Sequence, residues 1–123
     1  MTWPKIGTNH LQAAKRTLDE YPRSAASRAY YAAHVLLTHA LVAAGYRPPS
    51  GRQTPPHAAQ AKLIGSHLAG MGVAVVRELK TAIRRLYARR IDADYRRTVT
   101  FDRAAALESI RDASTLFKDL EAR

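Results

Sequence analysis

Arg28, Tyr30, Tyr31 and His34 fall within one seven-residue window and carry the side chains that phosphodiester chemistry uses. On a helix, Arg28, Tyr31 and His34 step by three along one slanting edge, and Tyr30 with His34 forms an i, i+4 pair. A permanently charged guanidinium, two phenols and a titratable imidazole thus share a stretch that has no Asp or Glu between Glu20 and Glu78. Imidazole can take the proton of a ribose 2′-hydroxyl or protonate the leaving oxygen. Arg can steady the negative phosphorane between those steps. A packing role fits the same residues, with Arg28 buried against Asp94 and His34 a satisfied core histidine. The residues by themselves leave both readings open.

A second group runs from Leu86 to Arg97 and holds Tyr87, Arg89, Arg90, Asp92, Asp94, Tyr95, Arg96 and Arg97. One reading is a helix end where positive charge suits the dipole and the acids pair across a bundle. The other is a phosphate-binding edge where Tyr95 or Tyr87 stacks on a base.

Other chemistries lack their residues. With no cysteine in the chain, disulfides, thiolate metal sites and thiol nucleophiles are excluded. His34 and His39 are five apart, roughly 140° round a helix, so they cannot chelate one ion together. Gly65, Gly70 and Gly72 lack the Lys-Ser/Thr ending of a phosphate loop and read as a helix end and turn. Neither a metal nor a cofactor is expected.

The charge balance favours a polyanionic partner. Twenty Lys and Arg face ten Asp and Glu in 123 residues, a net charge of +10. Residues 77 to 103 alone carry nine bases against four acids. Nucleic acid comes first among polyanions and an anionic membrane second. Arg outnumbers Lys fifteen to five, which a GC-rich genome would also produce, but such a bias does not explain the shortage of acids.

The elements that must hold these groups read as helices. Asn9 and Gln12 resemble a capping pair, followed by Leu11, Ala14, Leu18 and Tyr21 at helical spacing up to Pro22. Ser24 can cap a second helix that runs to about Ala44 and stops at Gly45. Its Ala29 to Ala44 part is almost wholly apolar, yet too short and interrupted to span a bilayer, so it reads as the central buried helix. Residues 45–56 form a Pro-rich loop, and Thr54-Pro55 opens a third helix. Val76, Leu79, Ile83 and Leu86 mark a fourth. Thr100 can cap a fifth, with Val99 and Ala104 as a weak staple and Leu107, Ile110, Ala113, Phe117 and Leu120 as its buried stripe. No run alternates as a strand. One domain over residues 1–123, an all-α up-and-down bundle of four to five helices, is the expected fold. Met-Thr-Trp-Pro-Lys at the start lacks the layout of a signal peptide, so a cytoplasmic protein is expected.

Two segments carry a family resemblance. Ser27-Arg28-Ala29-Tyr30-Tyr31-Ala32-Ala33-His34 resembles the Ser-Arg-x-Tyr-Tyr-Ala segment of HEPN-domain proteins. Arg89-Arg90-Ile91-Asp92-Ala93-Asp94-Tyr95-Arg96 resembles the Arg-x-x-Ala-Asp-Tyr segment that closes a later helix in that family. Pro56-His57 and an Ala-rich last helix after Thr100 also fall where the family places them. The resemblance implies a helical bundle that commonly dimerises. In active relatives it also implies a metal-independent ribonuclease site at the dimer cleft, built from an Arg and a following His. The matching pair here is Arg28 and His34, with Arg28 on the scissile phosphate and His34 as base or acid. Two positions depart from the pattern. Ala29 replaces the small polar residue that often follows the Arg, and Val35 stands where the His often falls, which turns His34 by about 100°.

Two functions follow as expectations. One is a dimeric, metal-independent endoribonuclease of toxin or defence type. The other is a non-catalytic module that binds RNA or a protein, such as an antitoxin or a nucleotidyltransferase-like partner. In both, Tyr30, Tyr31, Arg85, Arg89, Arg90, Asp94, Tyr95 and Arg96 form the binding set.

Overall fold

The computed structural model describes residues 2–121, in which five α-helices account for the regular structure apart from two short 3₁₀ turns. They are α1 (Trp3–Thr17), α2 (Pro22–Ala43), α3 (Gln60–His67), α4 (Val73–Tyr95) and α5 (Arg103–Glu121). No strand occurs among the described residues. The chain is an all-α helical bundle. No described helix is long and apolar enough to cross a membrane.

Local chemistry moves several boundaries from where the periodicity put them. α1 starts at Trp3 rather than near Asn9, because Thr2 Oγ1 accepts from the Lys5 N–H at 3.4 Å and Pro4 sits in the first turn. α2 starts at Pro22 with Tyr21 at its N-cap, so Ser24 lies inside the helix. It ends at Ala43, and Gly45 then adopts a φ of 104° that few other residues tolerate. Thr54-Pro55 does not open α3. Pro56 keeps the chain extended (ψ 138°), a single 3₁₀ turn spans His57–Ala59, and the α-helix begins at Gln60. α5 is capped by Asp102, whose Oδ1 accepts from the Ala105 N–H at 3.0 Å, not by Thr100.

α2 lies at the centre and packs against α1, α4 and α5. Ala25, Ala26, Ala29, Ala32, Ala33 and Ala40 are buried along it, letting neighbours come close, while Tyr30, Leu37 and Leu41 fill the space between. Leu79, Ile83 and Leu86 from α4 and Leu116 from α5 complete the core. Each such leucine gains about 1.5–3 kcal/mol from leaving water. α1 crosses α2 at Gly7, where an added Cβ would lie 3.1 Å from the Ala32 carbonyl oxygen and 3.3 Å from Phe117.

Candidate functional site

Three helices place polar and aromatic side chains on one side of this core. From α2 come Tyr30, Tyr31 and His34; from the turn before α3 and its first residue, His57 and Gln60; from α4, Tyr87, Arg90, Asp94 and Tyr95. The α4 residues share a face because Tyr87, Arg90 and Asp94 recur at three and four positions.

The inner part is a hydrogen-bonded strut. Gln60 Oε1 accepts from His34 Nδ1 at 2.8 Å, and its Nε2 donates to the Tyr30 hydroxyl at 2.8 Å and to the His57 carbonyl at 3.0 Å. With Gln60 donating to it, Tyr30 passes its own proton toward His57 Nδ1, a very short contact. These directions put the His34 proton on Nδ1 and the His57 proton on Nε2, with both rings neutral. The electrostatics agree. Burial, opposed by the Gln60 hydrogen bond and aided by the Arg90 charge, lowers the His34 pKa. Burial, then His34, Arg90 and Arg52, push His57 down to about 4. Burial likewise raises the Tyr30 phenol. Tyr30 stacks on His34 with centroids 5.7 Å apart, and His57 lies parallel to Tyr87 at 5.8 Å.

The outer part is built on Arg90. Its NH2 donates to the Tyr31 hydroxyl at 2.8 Å and the Tyr95 hydroxyl at 3.3 Å. Its Nε faces Asp94 Oδ2 at 3.1 Å, an ion pair without hydrogen-bond alignment. The guanidinium also lies 5.1 Å from the Tyr95 ring centroid and 5.4 Å from that of Tyr31. Ser27 donates to Asp94 Oδ2 at 3.2 Å, closing α2 onto α4. Tyr95 itself is 66 % exposed.

The expected residues therefore separate. Asp94 pairs with Arg90 and Ser27, not with Arg28. Arg28 is not buried; it is exposed and donates to His10 Nδ1 at 3.3 Å. His34 is 3 % exposed and turned toward Gln60. Six residues of helix put the two about 9 Å apart along the axis and about 120° apart around it, and their contacts are with different partners. Arg85 and Arg89 face α5, where Arg89 pairs with Asp112 at 2.7 Å and Glu108 at 3.3 Å and Arg85 lines the same depression. Arg96 is exposed beyond the end of α4, 3.7 Å from Asp92.

Four participants, Gln60, His10, His57 and Arg23, carry little in the sequence to mark them. Gln60 and His10 lie far in sequence from the groups they bond, so no spacing reveals them. His57 carried only its position after Pro56. Arg23 caps the end of α4: its NH1 donates to the carbonyls of Asp92 at 2.9 Å, Ala93 at 3.0 Å and Arg96 at 3.3 Å, and its NH2 to that of Val99. Arg23 is half-buried and its acceptors lie some seventy residues on, so no local spacing marked it.

Among the described residues, no group of three or more His, Cys, Asp or Glu is placed to hold a metal ion. Chemically, the arrangement offers neutral imidazoles inside and a fixed aromatic ring with cations at the rim. A family model described as HEPN domain matches residues 1–123. No curated protein and no solved structure matches the chain.

Proposed function

Because this chain belongs to the HEPN-domain family, we propose that it acts as a single cytoplasmic domain that binds single-stranded RNA along the edge where α2 meets the end of α4. The observation that carries this reading is Tyr95. Its ring is largely exposed, yet it is held from behind by Arg90, 5.1 Å from the centroid and within hydrogen-bond reach of the hydroxyl. An exposed ring that is already immobilised can stack on a base at little entropic cost. Arg28 and Arg96, both exposed, supply phosphate contacts. Tyr30, Tyr31 and Asp94 keep Arg90 in place. Exposed Arg85 adds to the long-range field, whereas Arg89 is neutralised by Glu108 and Asp112 of α5. The test is a salt titration of binding to labelled oligouridine. Affinity falls steeply with salt, and Arg28→Ala lowers the slope by about 0.7. Salt-independent binding, or none, would refute it.

One observation favours a second reading. Gln60 fixes His34 in the tautomer that leaves Nε2 as a lone pair, the state a general base needs. In that reading the chain is a metal-independent endoribonuclease of toxin or defence type, working as a homodimer beside an antitoxin or nucleotidyltransferase-like partner. Arg28 steadies the phosphate, and the His34 ring must open to substrate. It requires RNA cleavage in EDTA that Arg28→Ala and His34→Ala both abolish while remaining folded.

A further inference from the structure

Val73, Val76, Arg77, Lys80, Thr81 and Arg84 recur at three- and four-residue spacing and share one face of α4. With Ala69 from the turn after α3, they line an open groove of about 320 Å³. Its floor is aliphatic. Val73 is 77 % exposed, more than any other large apolar side chain among the described residues. Its rim is cationic, and none of the residues lining it is acidic. Glu78, the nearest acid on α4, lines the neighbouring depression on the α5 side. The Lys80 ammonium is seated at the wall, 2.9 Å from where a Cβ on residue 65 would stand, so the absence of a side chain at Gly65 makes room for it.

We propose that this groove docks an acidic amphipathic helix of a partner protein, at a site separate from the Arg90 edge. Aliphatic side chains give a nucleobase nothing to stack on, whereas they cover an aliphatic side chain of a partner well. Arg77, Lys80 and Arg84 stand at i, i+3 and i+7, spanning about 10 Å. A helix laid along α4 presents carboxylates at that same interval, with its apolar side chains between them over Val73 and Val76. Opposite charge at the rim sets the register and speeds encounter, and the aliphatic floor holds the complex.

Fluorescence anisotropy with a labelled acidic helical peptide, leucines at three- and four-residue spacing, tests the proposal. The controls are a scrambled peptide of the same composition and labelled oligouridine. Val73→Asp and the double variant Arg77→Glu/Arg84→Glu change exposed side chains, and an acid at position 73 suits the first turn of α4. Circular dichroism verifies that both stay folded. The patterned peptide binds the unmodified protein, the scrambled one binds at least about tenfold more weakly, and each variant loses about tenfold. Oligouridine bound anywhere outside this groove keeps its affinity in Val73→Asp. The proposal is overturned if the patterned peptide fails to bind or the scrambled peptide binds equally well. Oligouridine that displaces the peptide and itself loses affinity in Val73→Asp would assign the groove to RNA instead.

Discussion

Arg90 donates to the Tyr31 hydroxyl at 2.8 Å, joining α4 to α2 at the point where the Tyr95 ring opens to solvent. The bond couples the core to the rim. Tyr31 follows Tyr30 on α2, and the Tyr30 hydroxyl belongs to the strut that ends in His34 and His57. The two tyrosine rings meet edge to face with centroids 5.3 Å apart, so the rim rests against the hydrogen-bonded strut.

Gln60→Leu keeps the shape of the side chain and removes its amide. His34 Nδ1 loses its acceptor and the Tyr30 hydroxyl loses a donor, both inside the core. An orphaned buried group costs about 1–3 kcal/mol, so the urea midpoint falls. Unchanged stability would show that the strut contributes nothing to the fold.

Arg23→Met removes the guanidinium that holds the last carbonyls of α4 and lies 5.7 Å from the Phe101 ring. The loss is about 1–3 kcal/mol. Hydrogen exchange accelerates across the end of α4 and hardly changes in α1. Uniform acceleration throughout the chain would argue against a local cap.

Acid weakens the fold through its histidines. Burial holds His57 near 4 in the folded chain, below the 6.5 of an exposed imidazole, and lowers His34 and His10 in the same direction. Between those values the unfolded chain binds more protons, so stability is full above about pH 6.5 and falls as the pH drops toward 4. Thermal midpoints measured across that window decline for the unmodified protein and decline less for His57→Gln. A flat profile would contradict rings that stay neutral in the folded chain.

Much of the fold could be read from residue pattern, and less of the site. The apolar run from Ala29 to Leu41 has no polar face to offer solvent, so its central place followed from composition. The start of α1 did not, because Thr2 and Pro4 precede any apolar period. The tyrosine pair and the Asp94-Tyr95 closure, distinctive as residue types, do come together in the fold around Arg90. Which arginine serves it was not legible. Arg89 and Arg90 are adjacent and 100° apart, and only the packing of α5 decides that Arg89 turns to Asp112 while Arg90 turns to the tyrosines. The partnership of Arg28 with His10 was equally hidden, as it spans two helices.

The central claim is that Tyr95 is a stacking platform for single-stranded RNA, and binding of labelled oligouridine to Tyr95→Ala and Tyr95→Phe tests it most directly. Tyr95 is exposed, so neither change should disturb the fold. Tyr95→Phe keeps the ring and its face contact with Arg90 but loses the hydroxyl hydrogen bond, so it binds within a fewfold of the unmodified protein. Tyr95→Ala loses about 1–3 kcal/mol, roughly 5- to 150-fold. Tyr95→Ala binding with unmodified affinity would contradict the account.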